Sequence, residues 1–310
     1  MRQSLRIAPR VAQAIASGEP VVALESALVT HGFAHPANLQ IARRMEDTVR
    51  EAGALPATVA VLDGEPRVGL CDEELASLAS ERAARKVSLR DLPLVRAQAS
   101  SGGTTVAATM YLAHRAGVAV FATGGIGGIH RGHPEDVSAD LPALSSIPIV
   151  VVCAGAKAIL DLPRTLEYLE THGVPVIGYG TGEFPAFYSR RSGLKVDARV
   201  DSPGEVAQMV RARSEMGLSV ALLVCVPVPE ADALSVGEAE AAIARAVSEA
   251  DEANVSGKAL TPYLLARLVE VTGGRARRAN ESLLLNNARV AARIARALCA
   301  GDPRDGYGVD

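Results

Sequence analysis

Along the chain, short runs of uninterrupted apolar residues alternate with longer stretches whose apolar positions recur every three or four residues. The short runs read as strands buried on both faces and the longer ones as amphipathic helices, a rhythm that defines a layered α/β fold. Predicted strands cover residues 20–24, 58–62, 118–122, 147–153, 175–178 and 219–226. Predicted helices cover 38–51, 105–115, 164–171, 205–215, 238–253, 262–271 and 276–298. Asp63-Gly64, between the apolar runs 58–62 and 67–70, is a two-residue hairpin signal, so part of the sheet is expected to be antiparallel. The sequence lacks an internal repeat and a Pro/Ser/Gly linker, and the expectation is one domain over residues 1–310. From about Gly237 the chain turns helical and rich in Ala, Leu and Arg, which suits a helical cap or an oligomer contact. The apolar positions of the last helix, Leu283, Leu284, Val290, Ile294 and Leu298, read as core packing.

Composition narrows the function. The 310 residues are 48% hydrophobic and 22% charged, with 32 basic residues against 35 acidic ones, which excludes disorder and any strongly basic surface. With 3% aromatics and no basic run, no nucleic-acid partner is expected. Cys71, Cys153, Cys225 and Cys299 form no C-x-x-C pair, which argues against a zinc knuckle or disulfide scaffold and predicts a reducing, cytoplasmic setting. The N-terminus lacks the apolar stretch of a signal peptide, and charges such as Lys157 interrupt the long apolar runs, so no membrane span is expected.

Four segments carry polar residues at or near strand ends, where ligands of open α/β sheets collect. They are Leu24-Glu25-Ser26, Ser101 to Thr105, Thr123 to Gly132, and Cys153 to Lys157. Gly102-Gly103-Thr104-Thr105 precedes a helix and reads either as a phosphate cradle of backbone amides or as a tight N-cap. In the second glycine loop, Gly125-x-Gly127-x-x-His130 has histidine where a dinucleotide fingerprint needs its third glycine. That loop better suits a mobile or close-fitting segment that delivers His130 and Arg131 to a phosphate or sugar. Lys157, reached through small residues after an apolar strand, reads as an amine nucleophile or as a snorkelling surface lysine. Glu25 reads as a general acid/base held by a strand or as a structural carboxylate. His31 and His35 are four apart, but Gly32 and Pro36 oppose a two-histidine zinc face. Asp136 and Asp140 offer oxygen ligands suited to Mg²⁺ or Mn²⁺, although on their residues alone helix capping by Asp136 or Ser138 is the preferred account.

These residues also form a pattern. Val22-Ala23-Leu24-Glu25-Ser26, Lys86-Val87-Ser88, Gly103-Thr104-Thr105-Val106, Thr123 to Gly132, Asp136 to Leu141, Ala154-Gly155-Ala156-Lys157, Gly178 to Thr181, Phe184 to Tyr188 and Asn286-Asn287 together resemble the pseudouridine-5'-phosphate glycosidase family, also called indigoidine synthase A-like. The resemblance runs in order from about Pro20 to Ile294. It implies a single-domain three-layer α/β/α sandwich with a largely parallel mixed sheet and a helical C-terminal region. It further implies a cytoplasmic homotrimer that reversibly splits pseudouridine 5'-phosphate into uracil and ribose 5-phosphate. One divalent metal per subunit is expected, Mn²⁺ or else Mg²⁺ or another divalent ion. By motif position Lys157 would be the nucleophile, Glu25 the proton donor and Asp136 the metal ligand. Lys86, Thr105, Val106, His130, Ser138, Ala139 and Asp140 would hold the ribose phosphate, and Asn280 the base.

The chemistry suits such residues. A C–C glycosidic bond has no leaving heteroatom to protonate, so an ordinary carboxylate pair does not suffice. A lysine that captures C1 of the sugar supplies an electron sink instead. Two positions depart from the family pattern: Val226 stands where Asn is common, and Leu89 where Arg is common. They keep open ribose 5-phosphate attachment to an aromatic natural-product precursor as an alternative reaction, and a ribose-phosphate binder without turnover as a non-enzymatic one.

Overall fold

The computed structural model describes residues 5–253, 255 and 260–301. Six parallel strands form the centre of the main sheet: β1 (Val21–Leu24), β2 (Leu55–Leu62), β3 (Val120–Ala122), β4 (Val150–Cys153), β5 (Val176–Tyr179) and β6 (Leu222–Cys225). Their order across the sheet is β2-β1-β3-β4-β6-β5. Every residue of β1, β3, β4 and β6 is buried, which is why these runs are apolar throughout and do not alternate. The fourth strand begins at Val150, later than the apolar run predicts, because Pro148 has no N–H to give a ladder. Arg6–Ile7 and Glu65–Val68 extend the sheet beyond β2, and Ala198–Val200 extends it beyond β5. The predicted hairpin is present: Leu62 pairs with Glu65, and Asp63 and Gly64 both take the positive φ (49° and 74°) of a primed turn.

The helices that matter for the site are α1 (Ala37–Glu51), α2 (Val106–Arg115), α3 (Pro203–Glu215), α4 (Val236–Glu252), α5 (Leu260–Val271) and α6 (Arg275–Cys299). The start of α3 is set by Ser202, whose hydroxyl receives the Glu205 N–H, followed by Pro203 at the first helical position. Helix α6 packs against α1, α3 and strands β1, β3 and β4, while α2 packs on the sheet and against Asp140–Leu144. The arrangement is the expected three-layer α/β/α sandwich, with the final helix in the core as its apolar face predicts. Among the described residues no helix is long and apolar enough to cross a membrane.

One irregularity in the sheet places the site. Strand β1 stops at Leu24 while β2 continues, and the outer half of β2 takes Gly102–Thr104 as its antiparallel neighbour. Ser26 fills the gap between them. Its hydroxyl donates to the Val59 carbonyl (2.5 Å) and accepts the Thr104 N–H (3.0 Å), and the Thr104 hydroxyl also reaches Val59 (2.7 Å). The two glycines of the Gly102-Gly103 pair are therefore demanded by packing within a strand. A Cβ on Gly103 would lie 2.4 Å from both the Ser26 carbonyl and the Thr30 hydroxyl. Gly103→Ala is expected to lower stability by about 1–3 kcal/mol, as overpacking does. An unchanged thermal unfolding midpoint would contradict this account of the seam.

Candidate active site

Glu25 is the first residue beyond β1 and is fixed by the seam on one side and by the next strand end on the other. Thr123, directly after β3, donates its hydroxyl to the Glu25 carboxylate in a very short hydrogen bond. The backbone behind Thr123 is in turn gripped by Asn287 of α6, whose buried amide donates to the carbonyls of Thr123 (2.8 Å) and Gly124 (3.3 Å). Burial pushes the Glu25 carboxyl above the ordinary glutamate range, while the Lys157 charge and the Thr123 hydrogen bond pull it back down. The carboxyl is thus poised to keep a proton that an exposed glutamate would lose.

Lys157 lies four residues past β4 on a segment bound by its backbone. Ala156 bridges Ile126, the Lys157 N–H donates to the Ile126 carbonyl (3.0 Å), and the Lys157 carbonyl accepts from Leu160 (3.0 Å). Gly155 in that segment has φ +85°, and a Cβ there would collide with the Pro185 carbonyl at 2.3 Å, so only glycine permits this path. Glu25 and Lys157 stand, with Lys86 and Ala27, in the wall shared by two adjoining chambers.

The first chamber is polar and is lined by every residue expected to hold ribose phosphate: Lys86, Thr105, Val106, His130, Ser138, Ala139 and Asp140. Asp140 is almost fully buried, and its two oxygens accept the N–H of Ala107 at the start of α2 (2.9 Å) and of Gly127 (2.8 Å). It therefore ties the helix start to the glycine loop. Gly127 leaves the room this needs, since a Cβ would stand 2.1 Å from the Ser138 hydroxyl. The Thr105 hydroxyl is buried without a protein partner at the same helix start, where a ligand anion is favoured. The helix start thus lies at Thr105, the N-cap of α2, and not at the preceding Gly102 and Gly103, which lie in a strand. His130 lies on the short strand Ile129–His130, paired with His133–Val137 and Leu160–Asp161. Burial lowers its pKa, against the opposing pull of Asp136. Asp136 is an exposed strand residue with an oxygen 3.9 Å from His130 Nε2, so it caps no helix.

The second chamber is mainly apolar. Leu28, Phe187, Leu265 and Leu284 line it with Asn280, and His31 stands in its wall beside Glu25. Sequence reasoning considered His31 only as a zinc ligand and missed this placement. Its Nδ1 is engaged with the Thr30 hydroxyl at 2.7 Å, and burial and the Lys86 charge lower its pKa. Phe187 was also missed as a wall residue; it adopts φ +60°, and its ring fills the space a Cβ on Gly125 would need. Its signal in the sequence was its place in the Phe184 to Tyr188 motif, where Phe187 and Tyr188 form the turn between Ala186 and Ser189. Arg90 and Ser88, too, line the polar chamber.

Other expectations fall elsewhere. Arg131 faces a separate cleft, paired with Glu240, and does not deliver its charge to the polar chamber. Val226 is a buried core residue whose N–H bonds the Cys153 carbonyl, and Leu89 opens a short helical turn; neither lines a chamber. All four cysteines are free, as expected.

Fold and site together define an α/β/α protein whose candidate site lies beyond the carboxyl ends of parallel strands, with Lys157 and the half-buried Glu25 carboxyl between a polar and an apolar chamber. Residues 10–297 match the family described as indigoidine synthase A like protein, and the chain belongs to that family. It is 54% identical over 296 residues to a pseudouridine-5'-phosphate glycosidase of Methylobacterium nodulans, covering 95% of this chain and 88% of the relative. It is 50% identical to a protein of the same name from Hahella chejuensis, covering 97% of this chain and all of the relative. Among solved structures it resembles the prealnumycin C-glycosynthase AlnA in complex with ribulose 5-phosphate (TM-score 0.89, 40% identity, 97% and 98% of the two chains). It also resembles an indigoidine synthase A-like protein of Thermotoga maritima (TM-score 0.87, 38% identity, 95% and 96%).

The electrostatics of Glu25 are directly measurable. Lys157 and Thr123 each lower its pKa, so Lys157→Met and Thr123→Val should each raise it further above the free-glutamate value. Carboxyl-carbon NMR titration of selectively labelled protein reads the midpoint, and a Glu25 midpoint at the ordinary value in the native chain would refute the burial argument.

Proposed function

We propose that this chain catalyses the reversible cleavage of the C–C glycosidic bond of pseudouridine 5'-phosphate to uracil and D-ribose 5-phosphate. The observation that carries this reading is the junction: the Lys157 and Lys86 amines and one proton-retaining carboxyl stand between a polar chamber that suits a phosphorylated sugar and an apolar one that suits a flat ring. Membership of the family, at about half identity to glycosidases of that name, supports the same reading.

In the proposed mechanism the Lys157 amine attacks C1 of the ribose while the ring oxygen leaves and takes the proton of Glu25. The ionised Glu25 takes a proton from the new secondary ammonium, and the freed nitrogen lone pair forms the C1 iminium as the C–C bond breaks. The bond pair passes to the base carbon, which receives that proton back from Glu25, and water adds to the iminium to release ribose 5-phosphate and the free amine. Lys86, Thr105, His130 and the backbone around Val106 and Ser138 to Asp140 anchor the phosphate and ribose, so that binding energy remote from C1 orients the reacting bond. Asn280 and the apolar wall receive the base.

For the metal, Asp136 is an exposed carboxylate on the polar chamber with His130 near it, and no cluster of three or more acidic, His or Cys ligands exists among the described residues. That donor set fits a hydrated Mn²⁺ or Mg²⁺ held by one carboxylate, with water and the substrate completing its shell. Such an ion supplies positive charge beside the sugar phosphate. A cytoplasmic homotrimer is part of the proposal, supported by the family resemblance and, for the compartment, by the free cysteines.

A second reading is C-ribosyl transfer from ribose 5-phosphate to an aromatic acceptor, favoured by the likeness to a C-glycosynthase and by the apolar lining of the second chamber. Uracil, ribose 5-phosphate and Mn²⁺ are expected to yield a product with the mass of pseudouridine 5'-phosphate, and absence of product would favour the second reading. Lys157→Met is expected to reduce turnover more than about a thousandfold, as loss of a covalent nucleophile does, with phosphate-ester binding retained. Retained turnover in that variant would refute the Schiff-base route.

A further inference from the structure

Arg131 is one residue beyond His130, yet it turns away from the polar chamber and into the cleft behind it. Its guanidinium forks over Glu240 of α4, with Nη1 at 2.8 Å and Nη2 at 3.0 Å from the two carboxylate oxygens. The same group donates from Nη2 to the Ala158 carbonyl (3.2 Å) and from Nε to the Leu160 carbonyl (3.1 Å). These are the first and third residues after Lys157. The side chain is partly buried, and the Glu240 carboxyl is held below the usual carboxylate range by the Arg131 hydrogen bonds. No other side-chain donor is recorded to either carbonyl among the described residues.

We infer that Arg131 and Glu240 form a positioning clamp that fixes the backbone carrying Lys157, and so sets where its amine stands relative to Glu25. Upstream, the segment is pinned by Ile126, through its bridge to Ala156 and the Lys157 N–H. Downstream, the short strand Leu160–Asp161 pairs with Ile129–His130, and one arginine holds both the Ala158 carbonyl in the stretch between and the Leu160 carbonyl at the strand's start. The guanidinium makes four hydrogen bonds here, two of them forked on one carboxylate, whereas a lysine ammonium has three donors and no planar fork. Glu240 matters because it sets the direction of that fork. Neither residue lines a chamber occupied by substrate in the proposed mechanism, so they act only through the backbone they hold, which carries Lys157. The clamp also ties the lysine to α4, which couples the C-terminal helices to the reacting group.

The inference rests on the proposed role of Lys157, but its test is separable from that role. Arg131→Lys keeps the charge and loses the fork; Glu240→Gln keeps the shape and loses the charge. Both are expected to speed amide hydrogen exchange in residues 156–161, with the thermal midpoint within a few degrees of the unaltered chain. For the reaction of uracil with ribose 5-phosphate, kcat should fall about 10- to 100-fold for Arg131→Lys and less for Glu240→Gln, as misplacement of a reacting group costs. The KM values should stay within about twofold, and the double variant should be no worse than Arg131→Lys alone. Unchanged exchange in residues 156–161 would overturn the clamp, and so would a fall in kcat matched by a fall in thermal midpoint. An unaltered chain that turns over neither substrate would instead count against the proposed reaction, and the exchange comparison would still decide the clamp.

Discussion

The carboxyl of Glu25 is the constraint on which the rest of the site depends. A carboxylate taken out of water is costly unless hydrogen bonds and an opposite charge answer it, and it responds by holding its proton. Here one hydroxyl, from Thr123, and the nearby charges of Lys157 and Lys86 answer it in part. The protein invests structure in keeping that balance. Ser26 closes the seam where β1 gives way to Gly102–Thr104, and Asn287 reaches from the last helix to hold the backbone of Thr123. Elements far apart in the chain thereby converge on a single ionisable group.

From that group the division of labour follows. Charged and polar groups cluster on the side of Thr105, His130 and Asp140, while leucines and Phe187 line the other side. In the proposed reaction a substrate with a phosphate at one end and a ring at the other would span the shared wall, with the bond between its halves beside Glu25 and Lys157. The glycines of the loop from Thr123 to Gly132 serve this by letting backbone approach backbone, Ser138 and Phe187. They make a fitted wall, not a mobile flap.

Much of this was legible in the sequence because its causes are local. Uniform apolar runs gave the parallel strands, and Asp63-Gly64 gave the hairpin, since a primed turn asks for just such residues. Glu25 and Lys157 stood out as polar residues at the ends of apolar strands. What was not legible depends on partners distant in the chain. Gly102 and Gly103 looked like an anion loop, but their neighbours are Arg85 and Ser26, and they form a strand. Arg131 looked like a phosphate donor until Glu240, 109 residues away, claimed it. Gly32 and Pro36 opposed one helix carrying both His31 and His35, and the short helix Ala27–His31 does end there, but it also turns His31 into the apolar chamber. Direction of a side chain, as against its identity, is the quantity a single sequence conceals.

The central claim is that Lys157 forms a covalent bond to the sugar at the junction of the two chambers. Incubation with ribose 5-phosphate, reduction with borohydride and peptide mass spectrometry tests it most directly. The account predicts one reduced ribose phosphate per chain, on the peptide that contains Lys157. An unmodified chain, or an adduct on Lys86 with Lys157 untouched, would contradict it.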